Sequence, residues 1–198
     1  MVGALAEALR LDDVDRGYLF ALAGHRAPDL VRGVGPGADL LQRLVDAVAA
    51  PAYCTDALTS VLAYNAEAVE VFGDYGRWPA DRRNLLTLLF DEPTFAVRVV
   101  DRAEYAARVV HTFRGRTAAY LSDPVAIAMV DGLARRSPSF RRLWEGQDVR
   151  RADTDALEVE LPDGRRTLTL VTMQSVVSPG VRLNVYLAAT GTRVAEDG

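Results

Sequence analysis

Apolar and polar residues alternate in two separate parts of the chain, and this period of two predicts β-strands. The first part contains two short strands, residues 52–54 and 60–64, on either side of a polar turn. The second part contains three strands, within residues 153–161, 167–177 and 181–189. Turn-forming proline and glycine residues separate these last three strands. The pattern therefore predicts five strands, two early and three late.

Elsewhere the apolar residues recur every three or four positions, as they do on one face of an α-helix. Asn65 is placed to cap the helix that follows the second strand, and Gly73 is placed to end it. Residues 84–90 are apolar on every side, so we expect them to be buried. The predicted helices cover residues 4–10, 13–23, 38–49, 66–72, 93–115 and two segments that begin at Pro124 and Pro138.

The order of these elements predicts an α+β fold. Two strands, a block of helices and three more strands favour one five-stranded antiparallel sheet that is covered on one face by helices. Short helices precede the sheet at the N-terminus. This arrangement is PAS-like, and it tends to leave a cavity between the sheet and the helices. We therefore expect one curved sheet that encloses apolar space.

Composition places the chain in the ordinary globular class. Its 198 residues suffice for one core, and 49% of them are hydrophobic while 25% are charged. The formal net charge of -4 argues against a nucleic-acid-binding surface. The first residues lack the pattern of a signal peptide, and no apolar run reaches the roughly 20 residues that span a bilayer. We expect a cytoplasmic protein with no membrane partner.

Residue types that carry catalysis or bind metals are scarce. Cys54 is the single cysteine, and it is predicted to be buried and inert. The two histidines, His25 and His111, cannot form a histidine-rich metal site, and nucleotide-binding and nucleophile motifs are absent. No catalytic residue, metal or cofactor is predicted. His111 lies beside the apolar stripe of its helix, as a surface residue or as a polar anchor for a ligand.

Large apolar and aromatic residues of the sheet and the helices should line the expected cavity. The same residues would also fill an ordinary core, and their spacing does not separate the two interpretations. The candidate ligand-binding residues are Tyr53, Tyr64, Phe72, Leu86, Phe90, Phe95, Val99, Tyr105, His111, Phe113, Trp144, Met173 and Tyr186.

Four separated blocks of the sequence resemble one known family. They are residues 51–74, 82–90, 134–150 and 168–188, and they occur in the family's order. Together they resemble the C-terminal ligand-binding domain of the MmyB-like helix-turn-helix transcription regulators of bacteria. The resemblance covers nearly all of residues 36–190.

Individual residues match the family's pattern in these blocks, and two residues depart from it. The family's Ser-Pro-x-Phe-x-x-Leu-Trp block is matched by residues 137–144. Tyr64 and Asn65 stand where the family has Trp-Asn. The family's histidine before Asp-Val is Gln147 here, so no role is carried over to that position.

The resemblance implies a PAS-like domain at residues 36–190 whose apolar cavity binds fatty acids or similar small molecules. Residues 1–35 resemble only the helical end of a helix-turn-helix domain with its linker. Independently of the resemblance, residues 191–198 are predicted to be a frayed tail. DNA would then be bound only through an N-terminal helix-turn-helix domain that this chain lacks. The leading hypothesis is therefore an apolar- or acyl-ligand sensor for a transcription regulator.

Two alternatives remain open. The first is a stand-alone, cyclase-like enzyme on the same scaffold, in which His111, Tyr105 and Tyr64 would be the first residues to mutate. The second is a dimerisation module that forms a homodimer and fills its cavity with its own side chains.

Overall fold

A computed structural model describes residues 37–117, 124–146, 156–176, 178 and 180–188. The predicted helices at 4–10 and 13–23 and the predicted tail at 191–198 lie outside the described residues.

Five strands form a single antiparallel sheet in the order β2-β1-β5-β4-β3. The first two strands form a hairpin, and the last strand lies between this hairpin and the β3–β4 hairpin. The predicted single sheet and the α+β, PAS-like fold are confirmed. The strands are β1 (Ala52–Thr55), β2 (Val61–Tyr64), β3 (Ala156–Leu161), β4 (Gly164–Gln174) and β5 (Arg182–Ala188).

Six α-helices accompany the sheet in the described part of the chain. The five that follow β2 lie on one side of the sheet, which we call the inner face. They pack into two adjoining clusters, one dominated by aromatic rings against the sheet and one between the helices. The helices are α1 (Ala38–Asp46), α2 (Ala66–Phe72), α3 (Leu85–Asp91), α4 (Arg102–Thr117), α5 (Pro124–Arg136) and α6 (Pro138–Glu145).

Helix α1 lies on the opposite side of the sheet, which we call the outer face. Leu41 and Val45 of α1 pack with Cys54 of β1, Ala63 of β2 and Val185 of β5. Because successive residues of a strand point to opposite faces, these strand residues face α1 while their neighbours Tyr53 and Tyr186 face the inner face. Cys54 is fully buried there, as predicted.

Asparagine caps begin two of the helices, and the sequence pattern predicted the one at Asn65. The Asn65 side chain accepts a hydrogen bond from the Ala68 amide and thereby begins α2, which ends at Gly73 with φ +104°. The Asn84 side chain accepts from the amides of Leu86 and Thr87 and begins α3. Helix α3 buries most of its apolar residues, so the expected burial of residues 84–90 is confirmed.

The helix predicted over residues 93–115 is wrong in its first part, because α4 begins only at Arg102. Ala96 has a positive φ of 55°, which interrupts a right-handed helix. Val99 then forms an isolated antiparallel bridge with Val159 of β3. The amide of Val100 donates to the carbonyl of Glu158, so this segment pairs with the edge of the sheet. Pairing with a strand that is distant in the sequence cannot be recognised from the local spacing of apolar residues.

Candidate ligand-binding site

A cavity opens on the inner face of the sheet, between the sheet and α4. It encloses about 590 Å³ of space outside the protein atoms, a volume that includes its open mouth. The space within it that is wide enough for the centre of a water molecule is much smaller, about 60 Å³. The lining residues are Tyr53, Thr55, Asp56, Ala57, Thr59, Leu85, Tyr105, Arg108, Val109, Thr112, Phe113, Leu170, Thr172, Arg182, Asn184 and Tyr186.

Backbone periodicity explains why these side chains meet. The strand residues alternate along β4 and β5, so that Arg182, Asn184 and Tyr186 all point to the inner face. On α4 the lining residues are Tyr105, Arg108, Val109, Thr112 and Phe113, which follow the i, i+3, i+4, i+7, i+8 spacing of one helical face. The cavity therefore lies between one face of the sheet and one face of a helix.

Three tyrosine hydroxyls converge in the cavity lining. The hydroxyl of Tyr186 lies 3.3 Å from that of Tyr53 and 3.4 Å from that of Tyr105. All three residues are buried, and burial raises the pKa of both Tyr105 and Tyr186 well above the usual value. The hydroxyls of Tyr105 and Tyr186 are therefore neutral and able to donate hydrogen bonds at any physiological pH.

Two arginines and one aspartate bring charge into the lining. Arg108 lies with its guanidinium carbon 5.9 Å from the centre of the Tyr105 ring, and its Nη1 donates to the Ala156 carbonyl at 2.5 Å. Arg182 is buried. Asp56 accepts hydrogen bonds from two backbone amides of the β1–β2 loop, and burial raises the pKa of its carboxyl group. With Asp56 ionised, the lining carries one more positive charge than negative.

Four of the sequence-predicted site residues lie in this lining: Tyr53, Tyr105, Phe113 and Tyr186. The other aromatic and aliphatic candidates pack next to it instead. Phe72, Phe95 and Val99 belong to the core cluster against the sheet, and Tyr64 packs against its edge. The remaining three, Leu86, Phe90 and Trp144, belong to the cluster between the helices.

Two candidates lie apart from the cavity lining and from the two clusters. His111 is exposed on α4, while its neighbours Thr112 and Phe113 face the cavity. Met173 is 51% exposed on the outer face, because the alternation of β4 turns Leu170 and Thr172 inward.

The polar part of the lining was missed by sequence reasoning. Arg182 and Asn184 alternate with Leu183 and Val185 in a strand that looked apolar, and Arg108 follows Tyr105 by three residues on α4. A pattern that could have revealed them is the presence of charged residues at the inward positions of a predicted buried strand. Charged groups are rarely buried without a partner, so these positions indicate a polar site.

The described residues hold no group of three or more His, Cys, Asp or Glu side chains that could bind a metal ion. Among the helices that the structure describes, none is both long and apolar enough to cross a membrane.

Comparison with known proteins places this architecture in a family. A search of curated proteins returned no match. The family model described as MmyB-like transcription regulator ligand binding domain matches residues 38–197, which is most of the chain. The chain therefore belongs to the family of MmyB-like transcription regulator ligand-binding domains.

Proposed function

We propose that this regulatory domain binds a small amphiphilic organic acid, with an acyl or other apolar body, in the cavity beneath α4. The family supports a small-molecule ligand for a transcription regulator. The net positive charge of a largely buried lining is the observation that supports an acidic ligand.

The charge argument begins with Arg108 and Arg182. Their guanidinium groups are planar forks of N–H donors that match a carboxylate. A purely apolar ligand offers these groups neither a charge nor a hydrogen-bond acceptor. A carboxylate is attracted to both positive charges and can accept hydrogen bonds from guanidinium N–H groups.

The apolar part of the lining favours a body of hydrocarbon or ring character. Leu85, Val109, Phe113 and Leu170 contribute side chains without polar atoms. Burial of a ligand's apolar surface against them supplies about 25 cal/mol per Å². Affinity should therefore rise with the length of an acyl chain until the cavity is full.

Strands β1 and β5 offer a physical route from the cavity to the N-terminal side of the domain. Tyr186 of β5 lines the cavity, while the preceding residue, Val185, packs under Leu41 and Val45 of α1 on the outer face. A ligand that shifts β5 changes the surface on which α1 rests. The ligand alters regulation only if it binds with different affinity to the shifted and the unshifted arrangement of β5 and α1.

Isothermal titration of the full chain with unbranched carboxylic acids and the corresponding primary alcohols tests this proposal. We expect acids to bind about tenfold tighter than alcohols of equal length, since a hydrogen-bonded charge contributes about 1.5–3 kcal/mol. The substitution Leu170→Trp fills the cavity and should abolish the binding of both acids and alcohols. Equal affinities for acids and alcohols would contradict the acid headgroup, and binding unaffected by Leu170→Trp would place the ligand elsewhere.

A further inference from the structure

The outer face of the sheet carries an apolar strip that no described residue covers. Val171 and Met173 of β4 and Leu187 of β5 form its base, and each is between 38% and 51% exposed. Their partners across the ladder, Val185, Leu183 and Thr169, lie on the same face. Beyond β4 this face turns polar, since β3 presents Glu158 and Glu160 there.

Helix α1 forms one side of this strip. Gln42 of α1 donates to the carbonyl of Tyr64 at 2.8 Å, so this flank of the helix faces β2. Leu40 and Leu44 are each two residues from Gln42, about 160° around the helix axis, and so face β5 and β4. They are 55% and 44% exposed. We name these two leucines together with Val171, Met173 and Leu187 the outer strip.

We propose that the outer strip is the docking site of residues 13–23 of the same chain. This segment lies outside the described residues, and its sequence predicts a helix with apolar residues on one face. Val14, Tyr18, Ala21 and Leu22 recur at i, i+4, i+7 and i+8. A helix with such a face fits between α1 and the exposed part of β4.

Connectivity supports an occupant from the same chain. Helix α1 begins at Ala38, and residues 24–36 connect it to the proposed docking helix. Thirteen residues span up to about 40 Å, whereas β1 and β4 are two strand spacings, or about 10 Å, apart. A tether of this length gives an effective concentration of order millimolar, so a small contact is sufficient.

The size of the outer strip disfavours a second copy of the chain. Five partly exposed side chains offer on the order of 400 Å², about half of the 800 Å² that each partner buries in a typical stable interface. The charged residues of β3 next to the outer strip do not extend it. The outer strip therefore suits one short tethered helix better than a dimer.

Cysteine cross-linking in the full chain tests the proposal, because the native Cys54 is fully buried and leaves little background reaction. A chain with Leu22→Cys and Met173→Cys is treated with a short bis-maleimide, and the product is identified by intact mass and peptide mapping. We expect an internal cross-link at monomer mass, at a rate independent of protein concentration.

A matched pair places the second cysteine at Thr167→Cys. Thr167 is exposed on the same face of β4, about 20 Å further along the strand from Met173. The proposal predicts cross-linking at least tenfold faster for the Met173 pair than for the Thr167 pair. Adding Leu187→Glu should slow the Met173 pair tenfold or more.

Equal rates for the two pairs, or insensitivity to Leu187→Glu, would overturn the docking of this segment. A covalent dimer as the main product would overturn it in favour of a second copy. None of these outcomes depends on the ligand, so the result is separate from that of the titration with acids.

Discussion

Asn65 connects four parts of the fold through one side chain. Its Oδ1 accepts from the amides of Ala52 and Ala68, and so joins the start of β1 to the start of α2. Its Nδ2 lies within hydrogen-bond distance of three carbonyl oxygens at the end of α1 and after it, those of Val45, Val48 and Ala50. The residue is buried, so water cannot replace these partners.

We expect Asn65→Ala to lower the free energy of unfolding by about 2–4 kcal/mol, since it removes a helix cap and leaves buried backbone groups without partners. Urea denaturation followed by circular dichroism measures this change. Ser137→Ala is the matched control, because Ser137 caps α6 through its bond to the Phe140 amide and should cost about 1 kcal/mol. A loss for Asn65→Ala no larger than that of the control would contradict the role of Asn65 as a junction.

Cys54 should make stability depend on alkaline pH. Burial raises the pKa of its thiol from 9.0 to about 11, so between these values the folded thiol stays protonated while that of the unfolded chain ionises. The unfolded state then binds fewer protons, and the free energy of unfolding falls as pH rises from 9 to 11.

Urea midpoints measured between pH 9 and 10 check this expectation, because the buried tyrosines contribute mainly above that window. The decline should be shallower for Cys54→Ala than for the unmodified chain. Identical slopes for the two proteins would mean that the pKa of the thiol is the same in the folded and unfolded states, which would contradict the raised value.

At the scale of elements, the loop between β1 and β2 and the helix α4 place opposite charges at one cavity. Asp56→Asn keeps an oxygen that accepts from the amides of Leu58 and Ser60 but removes the negative charge. Arg108→Met keeps most of the side-chain volume and removes a positive charge.

We expect these two variants to change the affinity for an organic acid in opposite directions. Asp56→Asn should strengthen binding and Arg108→Met should weaken it, each by roughly fivefold, which corresponds to about 1 kcal/mol of Coulomb energy. Calorimetric titration measures both, with Arg166→Gln in the exposed β3–β4 hairpin as the control. Changes of the same sign in the two variants would rule out charge as the basis of recognition.

The elements show what the sequence could predict. The strands and the cap of α2 were predictable because they depend on local patterns, such as the alternation in β3 and the asparagine before α2. The start of α4 was not, because residues 98–100 pair with β3 across about 60 residues of chain. Contacts between residues so far apart in the chain produce no periodic pattern of apolar residues.

The cavity was predictable only in its aromatic half. Tyr53, Tyr105, Phe113 and Tyr186 follow from the rule that large apolar residues face inward. Arg182 and Arg108 contradict that rule, and such contradictions are expected where a protein carries a functional site. That these two arginines line one cavity can be recognised only from the strand order, which places β5 next to β1.

At the scale of the whole molecule, the sheet separates two surfaces with different roles. The inner face and α4 form the cavity, while the outer face carries α1 and the outer strip. β5 belongs to both surfaces and lies at the centre of the sheet. A ligand in the cavity is therefore separated from α1 only by the sheet, and β5 contacts both.

A crystal structure of the full chain bound to the tightest acid in the titration series tests this account most directly. The account predicts electron density between α4 and the sheet, with the carboxylate within hydrogen-bond distance of Arg108 or Arg182 and the apolar body against Leu170 and Phe113. An acid bound on the outer face, or a carboxylate turned to solvent away from both arginines, would contradict it.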